Sequence, residues 1–181
     1  DAPKFSIIVP LFKTPDNFLK ELVSSIQSQT YSNWELCFAD GSPTDELKGL
    51  VEGFKDERIC YHFIGENLGI SGNTNKALEM ATGDWIVLCD HDDLLVPNAL
   101  YEFADRITKD PEIDSIYSDE DKIDETGKKM FEPHFKPDFN IDMLRSNNYI
   151  CHLYGVRKEL VDRVGKFNSQ FDGAQDYDFI L

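Results

Sequence analysis

The sequence predicts an α/β fold: a mostly parallel central sheet with helices on both faces. Two observations carry this. Up to about residue 110, apolar runs of strand length alternate with amphipathic runs of helical period, the pattern of βαβ units. Those strand-like runs are apolar almost throughout, as strands covered on both faces must be. The chain has 181 residues, 41% of them hydrophobic, which suffices for one domain with a substantial core.

The elements follow in order. "KFSIIVP" reads as a buried strand ending at Pro10. "TPDNFLKELVSSIQSQ" reads as a helix, with Thr14 as N-cap and Pro15 at the first helical position. Its Phe18, Leu19, Leu22, Val23 and Ile26 keep helical spacing. "WELCFAD" is a second strand ending at Asp40, and "GSPTDELKGLVEGF" repeats the cap logic with Ser42 and Pro43. "RICYHFI" is a third strand. "GISGNTNKALEMATG" is a third helix with Ile70, Ala77, Leu78 and Ala81 on one face and Gly83 as its stop. "DWIVLCD" is a fourth strand, and "PNALYEFADRI" starts a fourth helix at Pro97.

Past Ile113 the pattern changes. "IDSIYSDEDKID" and "KKMFEPHF" read as strands around an acidic turn, and "NYICHLYGVRKELVDRVG" as a strand and then a helix. The expected organisation is one domain over 1–181: a nucleotide-binding half over 1–110 and an acceptor-side half over 111–181 packed on it. No internal repeat or low-complexity linker is visible. The chain starts at Asp1 without Met and stops at "DYDFIL" in the first turns of a helix, so a longer parent with further domains is expected.

The formal charge is -16, from 18 Lys+Arg against 34 Asp+Glu. That balance argues against a nucleic-acid polymer as partner. It allows a small phosphorylated ligand, provided a cation comes with it. Eight acids lie between Asp110 and Glu125 with only Lys122 among them, which reads as a solvated acidic loop. Cys37, Cys60, Cys89 and Cys151 form no C-x-x-C pair and sit in or beside apolar runs, as buried free thiols in a reducing compartment do. No signal peptide is visible, and no apolar run approaches the roughly 20 residues of a membrane span. The expected location is cytoplasmic, with the inner face of the cell membrane as a further option.

Ligands of open parallel sheets bind beyond the carboxyl ends of the strands. Pro10, Asp40 and Asp90 all fall at such ends. After Asp90 the stretch "DHDD" adds Asp92 and Asp93, three carboxylates within four positions. Their repulsion needs a cation or a proton. In an extended segment Asp90 and Asp92 point to one side, where Mg²⁺ or Mn²⁺ could bridge them to substrate phosphates. The same acids would also suit a polar loop capping the next helix. At Asp40, a carboxylate followed by Gly41 can accept a ligand N–H, such as N3–H of uracil or thymine. Capping of the second helix is the alternative, although Ser42 and Asp45 could do that. "GENLGISGNTNKAL" presents backbone N–H groups and amide side chains at a helix N-terminus, the setting of either a nucleotide contact or an ordinary cap. It is neither G-x-G-x-x-G nor a Walker lysine pattern.

Together these pieces resemble the family 2 glycosyltransferases of the GT-A fold. "SIIVPLF", "ADGSPTD", "ENLGISGNTNKALEMATGDWIVLCDHDD" and "FDGAQDYDFIL" match in order along nearly the whole chain, the third being long and specific. The last departs from the usual Glu-Asp pair, with Gln175 where Glu is common. The resemblance implies that Asp40 contacts the pyrimidine, Asp90 the ribose or metal, and Asp92 the metal and diphosphate. It implies Asp176 as catalytic base. Asn67, Gly72 and Asn75 match the nucleotide-binding stretch more loosely. "FEPHFKPDFNIDMLRSNNYICHLYGVRKEL" resembles members that build bacterial surface polysaccharides. There His134, Asn147, Asn148 and His152 could line the acceptor side, with loop or core hydrogen bonding the alternative for each, and Gln175 of "FDGAQDYDFIL" could join them.

The implied reaction is inverting, metal-dependent transfer from a UDP- or dTDP-sugar to a saccharide or lipid-linked saccharide. Two other functions share the features. A sugar-nucleotide pyrophosphorylase would show a glycine-rich, basic phosphate loop after the first strand, where "PLFKTPD" offers only Lys13. A non-catalytic nucleotide-sugar binding module would keep the donor site without turnover.

Overall fold

A computed structural model describes residues 2–124, 126–127 and 129–181. In chain order the elements are β1 (Phe5–Leu11), α1 (Asp16–Gln27), β2 (Trp34–Asp40), α2 (Glu46–Gly53), β3 (Ile59–Phe63), α3 (Gly69–Leu78), β4 (Trp85–Leu88) and α4 (Ala99–Lys109). Then come β5 (Ser115–Tyr117), β6 (Glu120–Ile123), β7 (Met130–His134), α5 (Ile141–Ser146), β8 (Tyr154–Arg157), α6 (Lys158–Val164), a 3-10 turn (Ser169–Phe171) and α7 (Gln175–Ile180). The acidic turn at Glu125 and the start of "KKMFEPHF" at Lys128 lie outside the described residues.

The main sheet has the order β3-β2-β1-β4-β8-β5. β1 pairs in parallel with β2 and β4, and β2 with β3, while β8 runs antiparallel to both β4 and β5. The sheet is therefore mostly parallel, as expected. The later half does not simply pack on the earlier one: it contributes β8 and β5 to the same sheet. Among the described strands, only β6 and β7 form a separate sheet.

Helices cover both faces, which is why the strands are apolar on both sides. Ile7, Val9 and Leu11 of β1 join α1, α2 and α4 through Leu22, Val51 and Phe103. Ile8 joins the other layer, with Ala77 of α3, Tyr149, and Val161 of α6. Strand order reverses at β1, because the chain steps from β1 outward to β3 and then returns to place β4 on the other side. That reversal opens a crevice at the carboxyl ends of β1 and β4.

The opposite end of the sheet is bolted by one polar network. Glu35 is 6% exposed and sits in register beside Ser6. Its Oε1 accepts from Ser6 Oγ at 2.6 Å and from Thr82 N at 2.6 Å. Its Oε2 accepts from Lys4 Nζ at 2.6 Å and Thr82 Oγ1 at 2.7 Å. Gly83 passes so close that a Cβ there would lie 2.6 Å from the Lys4 carbonyl oxygen. That approach, and not a helix stop, accounts for this glycine, since α3 already ends at Leu78.

Other local expectations also shift. Thr14 does not cap α1; Pro15 holds the N-cap position and no side chain caps it. Ser42 does not cap α2 either, because its Oγ accepts from Lys13 N at 2.8 Å, and Asp45 at the N-cap position makes no side-chain cap bond. α4 begins at Ala99 behind Asn98, past Pro97. The acidic run is not merely a solvated loop: Glu120 turns inward to an ion pair with Lys136. Among the described residues no helix is long and apolar enough to cross a membrane.

Candidate active site

The crevice at the β1/β4 reversal holds a cleft of about 90 Å³ lined by Pro10, Ile70, Thr74, Asp90, His152 and Asp176, among others. Ligand sites for drug-sized molecules enclose about 300–1,000 Å³. This cleft is therefore of a size for the reacting part of a ligand, with the rest lying along the open rim.

Asp90 follows the end of β4, and a turn brings Asp93 back to it: Asp93 N donates to the Asp90 carbonyl at 3.3 Å, and Asp93 Oδ2 accepts from Asp90 N at 3.3 Å. In a turn the third residue on, not the second, comes round to the same side. His152 Nε2 lies 3.4 Å from Asp90 Oδ2. Ligand atoms of Asp90, Asp93 and His152 all fall within 4.8 Å of one another. Asp92, expected to share a cation with Asp90, is exposed and lies outside this group. His152, expected on the acceptor side, instead faces Asp90.

The electrostatics follow from this placement. Burial alone would lower the His152 pKa, but the hydrogen bond to Asp90 and the charges of Asp90, Asp93 and Asp176 push it up to about 9. The same hydrogen bond holds Asp90 below the usual carboxylate value against its burial. Burial raises Asp93, which Asp90 reinforces. The partner that offsets Asp90 and Asp93 is thus the imidazole of His152, from far along the chain.

Asp176 stands in the first turn of α7. Its Oδ2 accepts from Asn148 Nδ2 at 2.9 Å, and Asn148 Oδ1 in turn accepts from Cys151 N at 3.3 Å. Gln175 lines the cleft, with its Oε1 accepting from Gly173 N at 2.8 Å. His134 and Asn147 are not in this group. His134 Nδ1 lies 3.3 Å from Glu120 Oε1, and Asn147 closes α5.

The residues expected to hold a nucleotide are largely occupied by the protein. Asp40 is 0% exposed; its Oδ1 accepts from Ser42 N at 2.9 Å and its Oδ2 from Tyr61 O–H at 2.7 Å. Burial and that carboxylate push the Tyr61 hydroxyl well up, so it stays a donor. Asn67 Oδ1 accepts from Gly69 N and Asn73 Nδ2. Asn75 differs from expectation: its amide exchanges two hydrogen bonds with Phe167, N–H to Oδ1 and Nδ2 to carbonyl, both 2.9 Å. It ties α3 to the segment before α7. Gly72 gives space, since a Cβ there would meet Leu68 Cβ at 2.5 Å.

Sequence reasoning missed Asp172, Glu120 and Lys136, and it paired Asp90 with Asp92 where the structure pairs it with Asp93. Asp172 Oδ1 accepts from Ser71 N in the first turn of α3 at 3.3 Å. Gly69, at φ +78°, makes room, for a Cβ would lie 2.4 Å from Asp172 Oδ2. The "FDG" stretch carries that signal only once α3 and the 3-10 turn are known to be neighbours.

The sequence model of the family described as Glycosyl transferase family 2 matches residues 6–165. An uncharacterized protein of Sinorhizobium fredii, y4gI, is 42% identical over 100% of this chain and 20% of its own length. The O-antigen biosynthesis protein RfbC of Myxococcus xanthus is 33% identical over 99% of this chain and 14% of its own. The chain thus spans a fifth or less of these relatives. Among solved structures, TarS of S. aureus in complex with UDP superposes with a TM-score of 0.75 at 21% identity, over 96% of this chain and 53% of that one. The mannosyltransferase PcManGT of Pyrobaculum calidifontis, in complex with GDP-Man and Mn²⁺, gives 0.70 at 22% identity, over 98% and 50%. These likenesses show the GT-A fold.

Proposed function

This chain belongs to glycosyl transferase family 2, and from that premise we propose that it moves a sugar, with inversion, from a UDP- or dTDP-sugar to a saccharide or lipid-linked saccharide acceptor. One observation carries the reading: a single cleft is lined both by Asp90 with its partner His152 and by Asp176 with its partner Asn148. Asp90 and Asp93 form the donor side. Asp176 is the base that takes the proton from the attacking acceptor hydroxyl.

Two carboxylates and an imidazole within 4.8 Å fit a divalent cation, provided His152 gives up its proton on binding it. The carboxylates suit Mg²⁺ or Mn²⁺, and the imidazole moves the set toward a transition ion such as Mn²⁺. Asp92 would be a further, outer ligand. When bound, the cation supplies positive charge against the leaving diphosphate. The chain's own part is to hold the donor at the β1/β4 rim and present Asp176 Oδ1 to the acceptor hydroxyl. The anomeric carbon then gains oxocarbenium character as in glycoside hydrolysis, and one displacement inverts it.

Asp40 is the reader of the base in this proposal, on condition that Tyr61 gives way or a second lone pair is shared. UDP bound to TarS supports a uridine donor, and the role of RfbC in O-antigen biosynthesis supports a bacterial surface polysaccharide as product. A cytoplasmic setting agrees with the four free cysteines.

A binding module would need no base, so Asp176 in the donor cleft favours the transferase over it. The test is release of nucleoside diphosphate from UDP- and dTDP-sugars by the full-length protein, with and without saccharide acceptors. Acceptor-dependent release is expected. Tight binding with no release under any acceptor would favour the module, and formation of nucleotide sugar from sugar phosphate would favour a pyrophosphorylase.

A further inference from the structure

Lys136 follows β7, outside the main sheet, yet its side chain is 0% exposed. Its Nζ lies 3.0 Å from Glu120 Oε2 and donates to the carbonyl oxygens of Ile150 and His152. A lysine has three donors and no acceptor, so these contacts use it completely. Glu120 reinforces the grip: its Oε2 also accepts from His152 N at 3.3 Å. Glu120 and Lys136 therefore close on one short piece of backbone, residues 148–152.

That piece belongs to no helix or strand, so no ladder of backbone bonds fixes it. Yet it carries both bridges across the cleft. Asn148 at one end donates to Asp176. His152 at the other faces Asp90. Burying a lysine charge is costly unless each of its donors is bonded. Here every donor of the lysine is bonded, and the product of that cost is a fixed course for 148–152.

We propose that Lys136 and Glu120 are positioning residues that fix the 148–152 segment and, through it, the placement of Asp176 on the acceptor side against Asp90 on the donor side. The proposal rests on the transferase reading of the cleft. Neither residue needs to touch substrate. Misplacing reacting groups by about 1 Å can cost about 10²-fold in rate, whereas Pro10 stands on β1 and Asp90 follows directly on β4.

The test compares K136M, E120Q and the double variant K136M/E120M in the full-length protein. K136M should lower both melting temperature and kcat, because it takes the lysine from Glu120 and the donor from the carbonyls of Ile150 and His152. The double variant should recover part of the melting temperature, since it removes the unbalanced charge while the Ile150 and His152 carbonyls still lack their donor. Its kcat should nevertheless stay down about 10²-fold, with the donor KM raised as well, because His152 loses its fixed place against Asp90. Recovery of kcat together with melting temperature would make the pair mere scaffolding and overturn the proposal. Hydrogen exchange supplies a readout independent of activity. Amides of 148–152 should exchange faster in the variants while those of β1 and β2 keep their rates. Unchanged or uniformly faster exchange would also overturn it. A wild-type protein without transfer would sink the transferase reading instead, and exchange alone would then decide the role of the pair.

Discussion

Asp176 uses one oxygen, Oδ2, on Asn148, which leaves Oδ1 for an acceptor hydroxyl. Asp176→Asn keeps a carbonyl oxygen for Asn148 and suits a helix's first turn nearly as well. Melting temperature and nucleotide affinity should therefore barely move, while transfer falls by about 10²–10⁴-fold. Near-normal transfer would place the base elsewhere. Asp40 offers a second residue-scale contrast. If it reads N3–H, UDP should outbind CDP by about tenfold or more, since a hydrogen bond to a charged group contributes about 1.5–3 kcal/mol. Equal affinities in calorimetry would confine Asp40 to holding Ser42 and Tyr61. At this scale the sequence was legible in kind and less so in partner. The crowding in "DHDD" announced that a positive group was needed. An extended reading paired Asp90 with Asp92, whereas the turn pairs it with Asp93. The positive partner, His152, lies in a segment that only the fold brings to Asp90. Local spacing carries no record of such a contact.

Strands and helices were easier to read than their ends. β2 runs over the expected Trp34–Asp40, because burial on both faces forces an apolar run whatever the neighbours do. The caps failed for a different reason. A serine or threonine before a helix has other bonding options, and Ser42 takes the backbone of Lys13 instead. Glu35 shows how much a polar residue inside a strand can matter. Burial would raise its pKa, but Lys4, Ser6 and Thr82 outweigh that and bring it from 4.5 to about 2. A carboxyl with a depressed folded-state pKa contributes stability that is complete above its unfolded value and fades as pH falls. Stability should accordingly drop between pH 4.5 and about 2, by an amount on the order of 1–3 kcal/mol from this group. Glu35→Gln should lower stability at pH 7 and flatten that part of the profile in urea unfolding. An unchanged slope below pH 4.5 would show that the network is not titrating there.

The whole molecule divides its labour between a rigid sheet and loops laid over it. Pro10, Asp40 and Asp90 stand at or just past the ends of adjoining strands, in a register fixed by parallel pairing. Asn148, His152 and Asp176 arrive from later segments. Donor binding should therefore depend on the sheet rim and its charge, and chemistry on the docking of the later segments. The charge is a global obstacle as well as a local one. A chain of formal charge -16 with Asp90 and Asp93 in the cleft repels a diphosphate, and the single imidazolium of His152 is already engaged by Asp90. UDP should bind weakly in EDTA and much more tightly with Mn²⁺. Thermal shift reads this directly, because a ligand at 100 times its Kd stabilises the fold by about 2.7 kcal/mol. Mn²⁺ alone should give a small shift, UDP with EDTA almost none, and the two together more than their sum. Asp93→Asn and His152→Ala should each shrink that excess if both groups hold the cation, while Asp92→Asn should shrink it less, as its exposed position suggests. Equal shifts for UDP with EDTA and with Mn²⁺ would remove the cation from the site and leave His152 to offset Asp90.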